Sequence, residues 1–96
     1  MTALWIAHVT VTDEEPYKRY AALATQAIAA HGGVFLARGG RCIQMEGTPR
    51  PRNVVARFPS VEAAEACYNS DTYQEALGHA KGAAERELVI VEELES

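Results

Sequence analysis

Cysteine is scarce in this 96-residue chain, with only Cys42 and Cys67 present. The two match no metal or redox spacing, so a reduced protein with two incidental thiols is expected. Long hydrophobic runs are also missing: no stretch approaches the ~18–20 apolar residues that cross a bilayer. The opening Met1-Thr2-Ala3-Leu4-Trp5 has neither the charged nor the apolar region of a secretory leader, which points to the cytoplasm and away from membranes. Positive charge is in short supply. A net charge of −4 and a pI near 5.3 argue against a general nucleic-acid binder, which needs a dominant basic face. There is no His-x-x-x-His pair and no phosphate-binding loop. Gly39-Gly40 falls between two strand halves rather than between a strand and a helix, so it is no dinucleotide fingerprint. Neither a metal nor a cofactor is expected. Internal repeats, linkers and low-complexity segments are absent too.

What the chain does have is apolar content, 48% of residues, which argues for a folded core. One domain over residues 1–96 is expected, and a chain of this size buries roughly 60–70% of its unfolded surface. Residues 4–12 are rich in β-formers and read as a strand with Trp5, Ala7, Val9 and Val11 on one face and Ile6, His8, Thr10 and Thr12 on the other. Asp13 offers an N-cap, Glu14 and Glu15 suit a helix N-terminus, and Pro16 fits its first turn. The stripe Tyr17, Tyr20, Ala21, Ala24, Ala27, Ile28 and His31 has helical spacing, and Gly32 sits where a left-handed cap ends the helix.

Val34 to Arg38 reads as a second strand, broken by Gly39-Gly40 and resumed from Cys42 to Glu46. The two prolines of 47–51 mark a loop. Asn53 to Phe58 is the next strand. Ser60 caps a helix whose inner stripe is Ala64, Cys67 and Tyr68. Asn69-Ser70-Asp71 interrupts it, and Asp71 with Gln74 has the form of a capping box restarting a helix that buries Tyr73, Ala76, Leu77 and Ala80. Glu87 to Glu95 closes the chain as a strand.

The order β-α-β-β-α-β defines an α+β, ferredoxin-like fold: a four-stranded antiparallel sheet with the helices on one face. Yet the strands are apolar on both faces, as Trp5 and Ile6, Val54 and Val55, and Val89 and Ile90 show. Such strands need a second cover. A homodimer packed sheet against sheet is the simplest one.

Several motifs carry a resemblance: His31-Gly32-Gly33-x-Phe35-Leu36-Ala37-Arg38-Gly39-Gly40, Met45-Glu46-Gly47, and Phe58-Pro59-Ser60 leading into Tyr68-Asn69-Ser70-x-x-Tyr73. In these the chain resembles DUF1330, a family of small bacterial proteins of unknown function within the dimeric α+β-barrel superfamily. The resemblance runs in order through nearly the whole chain. It implies a ferredoxin-like protomer that dimerises into a barrel with a cavity between sheet and helices. That superfamily includes cofactor-free monooxygenases, haem-degrading enzymes, lactone isomerases and proteins without known chemistry. The family itself brings no established activity.

The candidate site residues follow from strand faces and helix ends. His8, in mid-strand, is a candidate proton-transfer group, against the plainer reading of a histidine bonded at the dimer face or sheet edge. His31 is a second candidate, although a helix C-terminus favours a cation in any case. Arg38 is expected on the face of Val34 and Leu36, and Arg57 on that of Val55. Each needs an acidic ligand or a carboxylate such as Glu46. Residues 38–57 hold five arginines and one acid, while the rest of the chain is acidic, so an anion site or a basic subunit contact is expected there. For Arg41, Arg50 and Arg52 plain solvation of an edge and a loop is the expectation. Trp5 and Tyr73 would supply an apolar wall, and the turn before Tyr73 could present N–H groups to an anion. Three functions fit: a dimer binding a small acidic or aromatic ligand through Arg38, Arg57, Trp5 and Tyr73; a cofactor-free monooxygenase or isomerase using His8 or His31; or a structural or regulatory dimer with no ligand.

Overall fold

Alternation along the first strand decides how the molecule is layered. The computed structural model describes residues 1–94. It opens with strand β1 (Ala3–Val11), followed by helix α1 (Glu14–Ala30), strands β2 (Val34–Arg38) and β3 (Arg52–Phe58), helices α2 (Val61–Tyr68) and α3 (Asp71–Ala80), and strand β4 (Ala84–Glu92). The four strands form one antiparallel sheet in the order β2-β3-β1-β4. This is the ferredoxin-like α+β fold.

Ala3, Trp5, Ala7 and Val9 of β1 are buried under the helices together with Ala56 and Phe58 of β3. The indole of Trp5 is the centre of an aromatic cluster, 5.5 Å from the Phe58 ring and edge-on to Tyr73 at 5.1 Å. Small residues on the helices (Ala24 and Ala27 of α1, Ala76 and Ala80 of α3) let the two helices lie close together. Gly32 adopts φ +79°, the left-handed conformation that ends α1. Gly33 is required for another reason: a Cβ there would lie 2.5 Å from Ile28 Cγ2 and 2.9 Å from Phe58 Cε1.

Several local expectations are corrected. Asp13 occupies the N-cap position of α1, but its side chain makes no capping bond. Cys42–Glu46 forms no strand. The ladder ends at Arg38, and residues 39–51 form a loop whose last turn carries Arg50 over the sheet to β1 and β4. The restart of the second helix is capped by Ser70, whose Oγ accepts from Tyr73 N at 3.2 Å, rather than by Asp71. Ser60 caps α2 as expected, accepting from Ala63 N at 3.0 Å. The last strand starts at Ala84, earlier than Glu87, because β4 pairs with β1 along its whole length, from Val11↔Ala84 to Ala3↔Glu92. Its expected end, Glu95, lies outside the described residues.

A bulge in β2 has the largest consequence for the site. Phe35 pairs with Ala56, but Ala37 pairs with Val55, so Leu36 is the extra residue. The shift carries Arg38 to the position opposite Val54, on the helix side of the sheet, and away from the face of Val34 on which strict alternation put it. Its guanidinium stacks on the Phe35 ring at 4.4 Å.

Candidate functional site

β4 alternates in the same way as β1. Ala84, Arg86, Leu88 and Ile90 turn towards the helices and are half-buried, while Glu85, Glu87, Val89 and Val91 are exposed on the other face. The β4 alternation therefore places a guanidinium under the helices, where α1 and α3 deliver two phenol groups to it. Arg86 Nη2 donates to Tyr20 Oη at 2.6 Å and to Tyr73 Oη at 3.1 Å, and the two hydroxyls are 2.7 Å apart. The guanidinium also lies over the Tyr20 ring, 4.6 Å from its centroid. Its Nε is buried without a hydrogen-bond partner, and among the described residues no carboxylate lies within ion-pairing distance of Arg86. Burial pushes the Tyr20 phenol well above its ordinary value, and the neighbouring Tyr73 adds to the rise while Arg86 opposes it. Burial likewise raises Tyr73. Both tyrosines are neutral at physiological pH, and the guanidinium keeps its charge.

Arg86 borders three spaces, one of them an open recess of about 350 Å³ shared with Leu77, Ala80, Lys81 and Ala84. On the core side is a cavity of about 40 Å³ lined by Trp5, Tyr17, Tyr20, Phe35 and Val54 among others. At about 10–15 Å³ each it has room for a few waters. On the other side, open to solvent, is a groove of about 420 Å³ between α2 and β4, lined by Glu65, Tyr68, Asn69, Arg86, Leu88 and Ile90. It combines an aromatic ring, two aliphatic side chains, an amide, a carboxylate and a cation, the mixture of apolar and polar groups found in small-molecule sites. The ring of Tyr68 lies 5.3 Å from that of Tyr73, so rim and hydroxyl pair belong to one packed unit.

The candidates taken from the sequence do not converge on one place. Trp5 and Tyr73 come together in the core, behind Arg86. The backbone N–H of Tyr73 donates to Ser70 Oγ. Arg57 is on the opposite, outer face of the sheet, paired with Glu93 through Nε at 2.6 Å and Nη2 at 3.2 Å; the carboxylate is Glu93, not Glu46. That contact holds the Glu93 carboxyl below its ordinary range. His8 is also on the outer face, exposed, with Nδ1 against Asn53 Oδ1. It lines a 260 Å³ recess with Gln44, Thr48, Arg50 and Glu87. Arg50, expected in solvent, is 19% exposed and clamps the loop by bonding Glu87 Oε1 at 3.0 Å, Thr10 Oγ1 at 3.1 Å and Glu85 Oε2 at 3.2 Å. His31 ends α1 with Nδ1 2.8 Å from Ala27 O, the capping role.

Arg86 itself was not among the candidates. The signal was there: an arginine alternating with Ala84, Leu88 and Ile90. It was hidden because Glu85-Arg86-Glu87 looks like a solvated charge run. Among the described residues no three His, Cys, Asp or Glu side chains gather as a metal site, and no helix is long and apolar enough to cross a membrane.

Fold and groove together define a ferredoxin-like α+β protein with a pocket between its helices and its sheet. Residues 2–94 match the model for "Domain of unknown function (DUF1330)", and the chain belongs to that family. No curated protein matches it. Among solved structures it is similar to a Rhodopseudomonas palustris protein of unknown function, at 19% identity and TM-score 0.77, over 99% of this chain and 84% of that one. A dimeric ferredoxin-like protein of unknown function from Jannaschia sp. CCS1 matches at 13% identity and TM-score 0.68, over 96% and 99%. SnoaB, a cofactor-independent oxygenase from Streptomyces nogalater, matches at 9% identity and TM-score 0.69, over 99% and 95%. At these identities the likeness is one of fold.

Proposed function

We propose that this protein is a homodimer that binds a small acidic or aromatic molecule in the groove between α2 and β4. The observation that carries the reading is Arg86, a half-buried guanidinium without a carboxylate partner among the described residues, which lines an open groove of mixed polar and apolar walls. A charge held in such a place without a counter-ion costs stability, and a ligand that supplies one recovers it. Dimerisation is supported by the outer sheet face. Val34, Leu36, Val89 and Val91 are exposed there beside half-buried Leu4, Ile6 and Val55, and the similar Jannaschia protein is described as dimeric.

A second reading is a cofactor-free oxygenase. It is favoured by the fold shared with SnoaB and by a neutral tyrosine pair bonded to the guanidinium that lines the groove. The test is a thermal-shift screen of the purified protein against small acids, phenols and quinones, with oxygen uptake followed for every compound that binds. Binding without uptake is expected. Uptake establishes the oxygenase, and no shift with any compound leaves the structural dimer.

A further inference from the structure

The hydrogen-bond inventory around Arg86 does not close. Nη1 and Nη2 have two protons each, Nε has one and each tyrosine hydroxyl has one. The two on Nη2 go to the hydroxyl oxygens of Tyr20 and Tyr73. One hydroxyl proton goes to the other hydroxyl oxygen. The remaining hydroxyl proton, the Nε proton and the two on Nη1 have no acceptor among the described residues. The cluster is therefore one positive charge and an excess of donors, and neither oxygen can relieve it by ionising, since burial keeps both phenols protonated. Buried donors are rarely left in this state.

We infer that the groove selects a monoanion, a small carboxylate, whose oxygens accept from the guanidinium of Arg86. The inference rests on the groove reading and narrows it. A carboxylate brings charge and lone pairs and no further donor, so its bonds here are charge-assisted and short. A primary amide of the same shape brings two more N–H groups into a place already over-supplied. A dianion is disfavoured, because the groove's lining holds one cation, Arg86, and a carboxylate, Glu65, that repels a second negative charge. The apolar part of the ligand lies along Leu88, Ile90 and the Tyr68 ring.

The experiment compares benzoate, phenylacetate and succinate monomethyl ester with the amide of each, by thermal shift and calorimetry on the wild-type protein, Arg86→Gln and Glu65→Gln. Carboxylates are expected to bind and their amides to bind about tenfold or more weakly, the usual margin of a charge-assisted bond. Arg86→Gln abolishes the carboxylate response. Glu65→Gln, a change on the exposed rim that leaves the core intact, tightens carboxylate binding and leaves amide binding unchanged. Equal affinity for acid and amide overturns the monoanion inference while the groove reading stands. So does a carboxylate response that survives Arg86→Gln or weakens in Glu65→Gln. Silence from both series overturns the groove reading and the inference with it.

Discussion

The two faces of the sheet use the same device, an arginine on an apolar strand, with opposite results. On the outer face Arg57 of β3 is gripped by Glu93, and Arg50, reaching in from the loop, by Glu85 and Glu87, so each cation has a carboxylate and a place in the architecture. On the helix face Arg86 has two phenols, an idle Nε and a groove. A satisfied charge holds a structure together; an unsatisfied one is set up to take something else. The apolar residues differ in the same sense. Those of β1 facing the helices, Trp5 and Val9 among them, are sealed into an aromatic core, whereas Val34 and Val89 on the outer face stay 61% and 54% exposed. The outer face is unfinished as a surface, and the inner face as a charge.

The largest effect expected from breaking this comparison is on assembly. Val89→Asp places a charge in the middle of the exposed apolar face, and the protein should then sediment at the 10.4 kDa of one chain, while the wild type sediments at twice that mass. Wild-type sedimentation as a single chain removes the dimer. Next in size is the contrast in packing. Trp5→Ala opens the buried cluster and is expected to cost about 3–5 kcal/mol in denaturant melts. Val34→Ala, exposed on the other face, should stay within about 0.5 kcal/mol when measured on the Val89→Asp monomer.

Alkaline titration separates the faces in another way. Burial raises Tyr20, Tyr73 and Cys67 on the helix side, the last from 9.0 to about 11. The native state therefore holds these protons after the unfolded chain has lost them. Their contribution to stability is complete below pH 9 and falls as pH rises through the ordinary thiol and phenol ranges. Melting temperatures should decline from about pH 9 upward, and Cys67→Ala should move the onset of that decline towards pH 10. A smaller loss, about 1 kcal/mol, is expected for Ser60→Ala, which removes the α2 cap. Smallest of all is Arg57→Gln. It breaks an exposed, solvent-screened pair and should leave the response to carboxylates unchanged.

Most of the fold was legible because period-two alternation and helix punctuation are local. The faces of β1, the position of Arg57 beside Val55, the Gly32 cap and the break at Asn69-Ser70 all follow from near neighbours in the chain. Two features were not local. The bulge at Leu36 turns Arg38 over, and nothing between Val34 and Arg38 announces it, since a one-residue slip depends on the pairing with β3. The start of β4 depends on β1, which continues the ladder back to Ala84 and thereby assigns Arg86 to the helix face. The site was harder still. Tyr20 and Tyr73 are 53 positions apart and each fits a helix stripe as an ordinary core residue. Only their meeting at one guanidinium distinguishes them. Conversely, His8 and His31 were conspicuous as residue types and turn out to be bonded at a sheet face and a helix end.

The central claim is that ligands act on the helix side and copies of the chain on the outer side. The most direct measurement is an amide-resolved NMR titration of the ¹⁵N-labelled protein with benzoate. The account predicts shifts concentrated at Tyr68, Asn69, Arg86, Leu88 and Ile90, with His8, Val55 and Arg57 unmoved. Shifts centred on His8, Val55 and Arg57 instead would contradict it and place the ligand against the outer sheet.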